Sequence, residues 1–322
     1  MKSAFAYRVY GLAVASEIEL PELPASSHDA PIDLQIRLGE VPRHLDDVQH
    51  QSSWFKANAR ACLITVPELC RLHVRDGREI TIDCKIQPDG RPLRAADVRL
   101  YLLGSAMGAA LHQRGLLPLH VSAVSAPNGV WAFTGPSGAG KSTLSATLHL
   151  GYGLQLVSDD VSALRLDQQQ PVVFPGPRKL KLWQDAAEHL RCDPGDLVHD
   201  LSGTDKFQLY LGDDGRETNA DPAPLHALVL LEPSLQPCAP RLEKLSGGSA
   251  FDVCLTALYR PYMADWYRPR QAVMDDLLTL CSRIEVYRFR RHWSLSAMDE
   301  QLAPLLDAML VADEGMARVA RK

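Results

Sequence analysis

Nine consecutive residues, Gly135-Pro136-Ser137-Gly138-Ala139-Gly140-Lys141-Ser142-Thr143, match the pattern G-x-x-x-x-G-K-[ST]. The chemistry explains the spacing. Gly135, Gly138 and Gly140 let the backbone curl so that successive N–H groups point inward at phosphate oxygens, and a following helix adds its positive end. Lys141 is placed to reach the β- and γ-phosphates of a bound nucleotide, and the Ser142 hydroxyl to ligate Mg²⁺. The apolar run Val130 to Thr134 reads as a strand entering the loop, and Ser142 to Leu148 as the first two turns of the helix leaving it. Those flanks weigh against a glycine-rich turn that binds nothing.

Two acids, Asp159 and Asp160, follow Lys141 by 18 and 19 residues at the end of a strand, Leu154 to Ser158. A strand–loop–helix–strand unit delivers both beside a γ-phosphate, where one holds a metal through water and the other accepts a proton from an incoming hydroxyl. Adjacent acids also cap helices and make turns, but the placement directly after the loop unit favours the chemical reading. A basic set, Arg178, Lys179, Lys181, Lys206 and Arg260, falls at expected strand ends or loops. A planar arginine fork suits a terminal carboxylate or a phosphate, whereas solvated surface charge is the plain alternative. Arg178 and Lys206 stand out, the latter because it follows Gly203-Thr204-Asp205 as a strand begins.

These residues need a frame. Residues 1–92 are β-like, with clean alternation over Ile32 to Leu38 and Glu79 to Asp83 and an apolar run Ala61 to Val66; an antiparallel N-terminal module is expected. Pro88 to Pro92 breaks the chain, and residues 93–322 form the nucleotide domain with C-terminal helices. Its elements are a helix Ala95 to Arg114 ending at Gly115, and a strand Leu117 to Val124 carrying His120. A turn at Asn128-Gly129 follows, with further strands at Ser162 to Leu166, Val172 to Phe174, Lys179 to Trp183, Lys206 to Leu211 and Leu225 to Leu231. Helices are expected at Gly248 to Leu258, Arg270 to Cys281 and Leu295 to Leu310. Gln168-Gln169-Gln170 reads as a hairpin tip. The fold class is mixed α/β, and the hairpin ahead of the loop departs from a simple doubly wound sheet.

Composition bounds the rest. With 322 residues, 46% of them hydrophobic, the chain can bury one large core or two smaller ones. A net charge of −5 gives no general electrostatic reason to bind nucleic acid or an anionic membrane. Seven scattered cysteines with no C-x-x-C pair suggest neither a zinc site nor a disulfide framework and read as reduced thiols of a cytoplasmic protein. Lys2, Arg8, Glu17 and Glu19 interrupt the N-terminus, and the longest apolar stretch, Tyr101 to Leu111, is far below a membrane span. A secreted or membrane-embedded protein is not expected, and whether it forms a homo-oligomer stays open.

His120-Val121-Ser122, the loop at Gly135 to Thr143 and Val157-Ser158-Asp159-Asp160, in this order, resemble the catalytic domain of the HPr kinase/phosphorylase family. The spacing fits too, with about one extra residue between loop and acids. The resemblance covers Tyr101 to Val161 well and the C-terminal half loosely. It implies a fold like that of the family and of phosphoenolpyruvate carboxykinases, with ATP and Mg²⁺ as cofactors. It also implies Asp160 as general base toward a seryl hydroxyl, His120 as a polar residue near the transferred phosphoryl group, and Ser142 with Asp159 on the metal side. The family's metal-holding glutamate about 25 residues after the catalytic acid has no match before Asp185, which leaves the metal number and the reverse, phosphorylase direction open. The N-terminal module does not resemble the family's usual N-terminal domain. Tyr7 to Leu12 and Pro177 to Trp183 look closer to the HPr-kinase-like proteins of lasso-peptide biosynthesis clusters, which implies a peptide acceptor phosphorylated on its C-terminal serine. Arg178, Lys206 and Arg260 are the expected acceptor-binding residues.

Two other classes are weighed. Leu228 to Pro233 looks like a metal-binding strand with a terminal acid, Glu232, and Leu245 to Ser249 like the signature loop of a transporter ATPase, but their order is reversed from that class. A nucleotide sensor that binds ATP without transferring it is disfavoured by the paired acids.

Overall fold

The computed structural model describes residues 5–27, 30–84, 95–166, 169–199, 205–211 and 221–310. Lys2, the Pro88 to Pro92 break with the boundary at 92/93, Gln168, and Gly203-Thr204 ahead of Lys206 lie outside the described residues. The architecture is mixed α/β.

An eight-stranded sheet runs in the order Phe5–Val9, Leu12–Ser16, Leu34–Leu38, Glu79–Cys84, Cys70–Arg75, Ala61–Val66, Phe55–Ala57 and His50–Gln51. Leu34–Leu38 pairs in parallel with both neighbours, so the antiparallel expectation holds only for the other pairings. The reason is simple: side-chain alternation has the same period in either direction and carries no information on strand sense. A helix, Ala95–Tyr101, passes through a π-helical turn, Leu102–Ala106, into Met107–Gln113. Val98, Leu102, Met107 and Leu111 share one core with Ile36, Ile64 and Leu72 of the sheet.

The second sheet is built around Gly129–Thr134, which pairs antiparallel with Ser122–Ala126 and parallel with the long strand Ala223–Ser234. Gln155–Ser158 lies outside Ser122–Ala126, and Glu285–His292 runs parallel to Ala223–Ser234 on the other side. Gly129–Thr134 alternates between two cores. Trp131 and Phe133 face the helix Lys141–Tyr152 and the C-terminal helices Met298–Gln301 and Ala303–Leu310. Val130 and Ala132 face the helices Gly247–Ala257 and Arg270–Arg283. A sheet covered on both faces explains why this strand is an unbroken apolar run. Lys179–Trp183, Lys206–Tyr210 and Leu197–His199 form a third, small sheet beside the loop helix.

Two expected elements divide. The strand expected over Leu117 to Val124 is two strands, Leu117–Leu119 and Ser122–Ala126, which join different neighbours and leave His120 and Val121 in the gap. The helix expected over Leu295 to Leu310 is interrupted at Leu302, two residues before Pro304, whose ring and missing N–H disfavour a continuous helix. Among the described residues no helix is long and apolar enough to cross a membrane, and the seven cysteines are free.

Candidate active site

The central strand ends at Thr134, and the chain turns through Gly135 at φ 146°. A Cβ there would lie 3.0 Å from the Leu231 carbonyl oxygen of the neighbouring strand, so only glycine fits. The loop closes with Ala139 N–H donating to the Pro136 carbonyl at 3.1 Å, and the helix Lys141–Tyr152 starts directly after Gly140. The Lys141 ammonium donates to the carbonyls of Gly135 at 2.8 Å and Pro136 at 3.4 Å. Burial pulls its pKa down, against the opposing pull of Asp159 and Asp160.

Gln155–Ser158 reaches the same end of the sheet and delivers the two acids. Asp159 is 4% exposed; its Oδ1 accepts from the Ser142 hydroxyl at 2.8 Å and its Oδ2 from the Lys181 N–H at 2.9 Å. Burial pushes the Asp159 carboxyl up, and those two hydrogen bonds offset it only in part. Asp160 sits at φ 77°, a left-handed turn that separates the two carboxylates. Its Oδ2 accepts from the Lys181 ammonium at 2.7 Å, and its Oδ1 lies 3.3 Å from His120 Nδ1. His120 Nδ1 is also 2.9 Å from the Asp160 carbonyl, and since both neighbours are acceptors this nitrogen carries the proton. Burial pushes the Asp160 carboxyl up too, but Lys181 and His120 outweigh it and hold it well below the usual carboxylate range.

These groups line one cleft of about 570 Å³ that also takes in Ser137, Gly138, Gly140, Thr143 and Lys206. Gly135, Pro136 and Ala139 belong to the loop but do not line the cleft. Lys206 faces Trp183 across the rim, its ammonium 5.8 Å from the ring centroid. The other two expected acceptor residues lie elsewhere. Arg178 borders a separate hollow with Tyr10 and Pro24, its N–H bonded to the Glu22 carbonyl at 2.8 Å. The Arg260 guanidinium donates to Tyr259 and Tyr262 hydroxyls and Ser105 Oγ at 3.0, 2.8 and 2.9 Å and stacks on Trp54 at 5.1 Å. Glu22, Ser105 and Trp54 come from the N-terminal part of the chain, far from both arginines in sequence, which a reading along the strand could not foresee. Lys179 is buried beside Gln208, 3.2 Å away. The group underrated from sequence is Lys181, which holds both acids; the alternation of Lys179 and Lys181 along one strand was the available signal.

Asp185 and Trp293 also border the cleft. Glu232 does not: it pairs with Arg288 at 3.1 Å, and Ser246 and Gly247 form a helix start. Among the described residues no group of three or more His, Cys, Asp or Glu is placed to hold a metal. Mg²⁺ shared between protein, phosphate and water needs no such group. Ser142 Oγ and Asp159 Oδ1 fit that demand as adjacent oxygens, with Asp159 in a place where a cation relieves a buried charge.

No protein-family model matches the chain, and no curated protein matches it. Among solved structures, an Hpr(Ser) kinase/phosphatase from Coxiella burnetii matches with a TM-score of 0.30 and 14% identity, over 60% of this chain and 97% of that one.

Proposed function

We propose that the cleft binds ATP and transfers its γ-phosphoryl group to a serine hydroxyl of a peptide or small protein. The observation that supports it is the convergence, in one cleft, of a glycine-rich loop at a helix start, Lys141, Ser142 and two carboxylates in different electrostatic states. In this reading the loop N–H groups and the helix start hold the phosphates, and Lys141 leaves its two loop carbonyls for the β- and γ-phosphate oxygens. Ser142 and Asp159 would hold Mg²⁺, which when bound neutralises charge on the phosphates. Asp160 receives the acceptor hydroxyl. Held ionised by Lys181, it orients the hydroxyl by accepting its hydrogen bond and takes the proton once bond formation to phosphorus has made that oxygen acidic. His120 keeps Asp160 in place through Nδ1, leaving Nε2 for the phosphoryl group or the acceptor. The resemblance of the motifs to the HPr kinase/phosphorylase family points the same way.

For the acceptor, the reading adopted is the C-terminal serine of a lasso-peptide precursor, with Lys206 as the partner for the free carboxylate now that Arg178 and Arg260 lie outside the cleft. Amidating that C-terminus removes a charge-assisted contact, an expected loss of about 10- to 150-fold in kcat/KM. Arg178→Gln leaves the acid-to-amide ratio unchanged, whereas Lys206→Met abolishes it. Equal phosphorylation of both peptides by the unmodified enzyme, or phosphate on an internal serine, would favour a folded acceptor of the HPr type. Product analysis separates the classes: a kinase leaves ADP and a phosphorylated acceptor, an ATPase leaves ADP and free phosphate, and a sensor leaves ATP intact.

A further inference from the structure

Arg291 lies at the end of the strand Glu285–His292 and is 2% exposed. Its neighbours on the strand are ordinary: Arg288 and Arg290 reach Glu232 at 3.1 and 3.8 Å. Arg291 points to the opposite face, the one on which Phe289 packs with Leu144 and Leu148 of the loop helix. There, among the described residues, its Nη2 is buried with no hydrogen-bond partner, and Nη1 reaches only the His292 carbonyl, at 3.5 Å. Among the described residues no carboxylate lies within ion-pair distance of it. Burial pulls its pKa down to about 10. The guanidinium is not remote from the cleft. A Cβ built on Gly140 would lie 3.4 Å from Arg291 Nη2 and 2.4 Å from the ring of Trp293, which stacks on Arg291 at 5.2 Å and borders the cleft.

A buried cation without a counter-charge is costly, and folds retain one only where something offsets it. The position behind Gly140 says what that is. We propose that Arg291 is a positioning residue for the polyphosphate, a fixed positive charge behind the loop whose counter-charge is the ligand's phosphates. The proposal rests on the phosphate-binding reading of the loop and adds a group that no motif contains. Arg291 need not touch the ligand, because in a poorly solvated setting its field acts through Gly140. Trp293 covers it on the cleft side and keeps water from screening it.

The test measures two quantities on each full-length variant: melting temperature without ligand, and affinity for inorganic tripolyphosphate and for ATP by calorimetry. Arg291→Met, similar in length and uncharged, is expected to melt at or above the unmodified protein yet bind tripolyphosphate about tenfold more weakly. Arg291→Lys keeps most of the affinity. Unchanged affinity in Arg291→Met overturns the proposal, and so does a loss of ligand-free stability that accompanies the loss of affinity, since that marks a purely structural residue. If Arg291→Met does not fold, Arg291→Gln against Arg291→Lys decides by the same criteria; failure of all three to fold also overturns it. If the unmodified protein binds neither ligand, the phosphate-loop reading itself fails, a result distinct from binding that persists unchanged without Arg291.

Discussion

Two adjacent aspartates of identical chemistry are driven apart by their surroundings. Asp159 is enclosed and its carboxyl pushed up, whereas Asp160 is held low by Lys181 at 2.7 Å. That split assigns them different tasks, cation partner and hydroxyl partner. It predicts that Asp160→Asn retains ATP binding and loses about 10²-fold in turnover, the ordinary scale for deleting such a group, as measured by steady-state kinetics beside a nucleotide titration. The pH dependence has a definite sign. A carboxyl held below its ordinary value stays ionised as pH falls through the usual carboxylate range, so Asp160 contributes no acid limb there. Removing the ammonium in Lys181→Met lifts that restraint, and an acid limb then enters the kcat/KM profile from the low-pH side. An unshifted profile would show that Lys181 does not control Asp160. Lys141→Ala is expected to abolish transfer and weaken nucleotide binding while leaving the melting temperature nearly unchanged, because among the described residues the ammonium bonds only two loop carbonyls. Much of this was legible in the sequence: the loop, the acids and His120 lie within one span of chain. The arginines were not. A guanidinium looks the same in a sequence whether it meets a ligand or, like Arg260, two neighbouring tyrosine hydroxyls, the distant Ser105 and the ring of Trp54.

At the scale of elements, the strand–loop–helix unit and the strands Val172–Phe174 and Lys179–Trp183 were readable because burial writes an apolar pattern into them. The strand Glu285–His292 was not. Its sequence, Glu-Val-Tyr-Arg-Phe-Arg-Arg-His, is dominated by charge, and its place in the sheet shows only in the pairing with strands on both sides and in the burial of Val286 and Phe289. Strand direction in the N-terminal sheet was equally hidden. The helix Met107–Gln113 carries a buried titratable group, His112, whose Nε2 donates to the Tyr259 carbonyl at 2.8 Å. Burial lowers its pKa from 6.5 to about 4. The unfolded chain therefore binds this proton first, so the contribution is complete above pH 6.5 and is lost as pH falls from there toward 4. The full effect is about 3 kcal/mol. Urea unfolding followed between neutral and acid pH should show that loss, and His112→Gln should flatten it; an equally steep dependence in the variant assigns the acid sensitivity to other groups.

Across the whole molecule, the N-terminal module is tied to the other two sheets by a few directed contacts. Tyr10 donates its backbone N–H to Pro175 at 2.8 Å and its hydroxyl to Val161 at 3.3 Å, one residue beyond Asp160. Gly11 packs so closely on Phe174 that a Cβ would lie 2.5 Å from the ring. Glu22, 1% exposed at its side chain, pairs with Arg99 at 2.8 Å and lies 3.4 Å from the Tyr210 hydroxyl of the small sheet. Val161, Ala163 and Phe174 belong to the same core as the N-terminal strands. Arg99→Met strands a buried carboxylate and is expected to cost about 3–5 kcal/mol, whereas the double variant Glu22→Gln/Arg99→Met costs much less. Fluorescence and far-ultraviolet dichroism should follow one coincident unfolding transition in each; separate transitions would show that the ties at Tyr10, Gly11 and Glu22 do not couple the sheets.

The proposed reaction is transfer of a phosphoryl group from ATP to a serine hydroxyl in the cleft of Lys141, Asp159 and Asp160. It is tested most directly by incubating the protein with ATP, Mg²⁺ and candidate acceptor peptides and locating any added phosphoryl group by fragment mass spectrometry, with Asp160→Asn run in parallel. The expected result is one phosphoryl group on a serine, made by the unmodified protein and nearly absent with the variant. ATP consumed to free phosphate with every acceptor unmodified, or equal product from the Asp160→Asn protein, would contradict it.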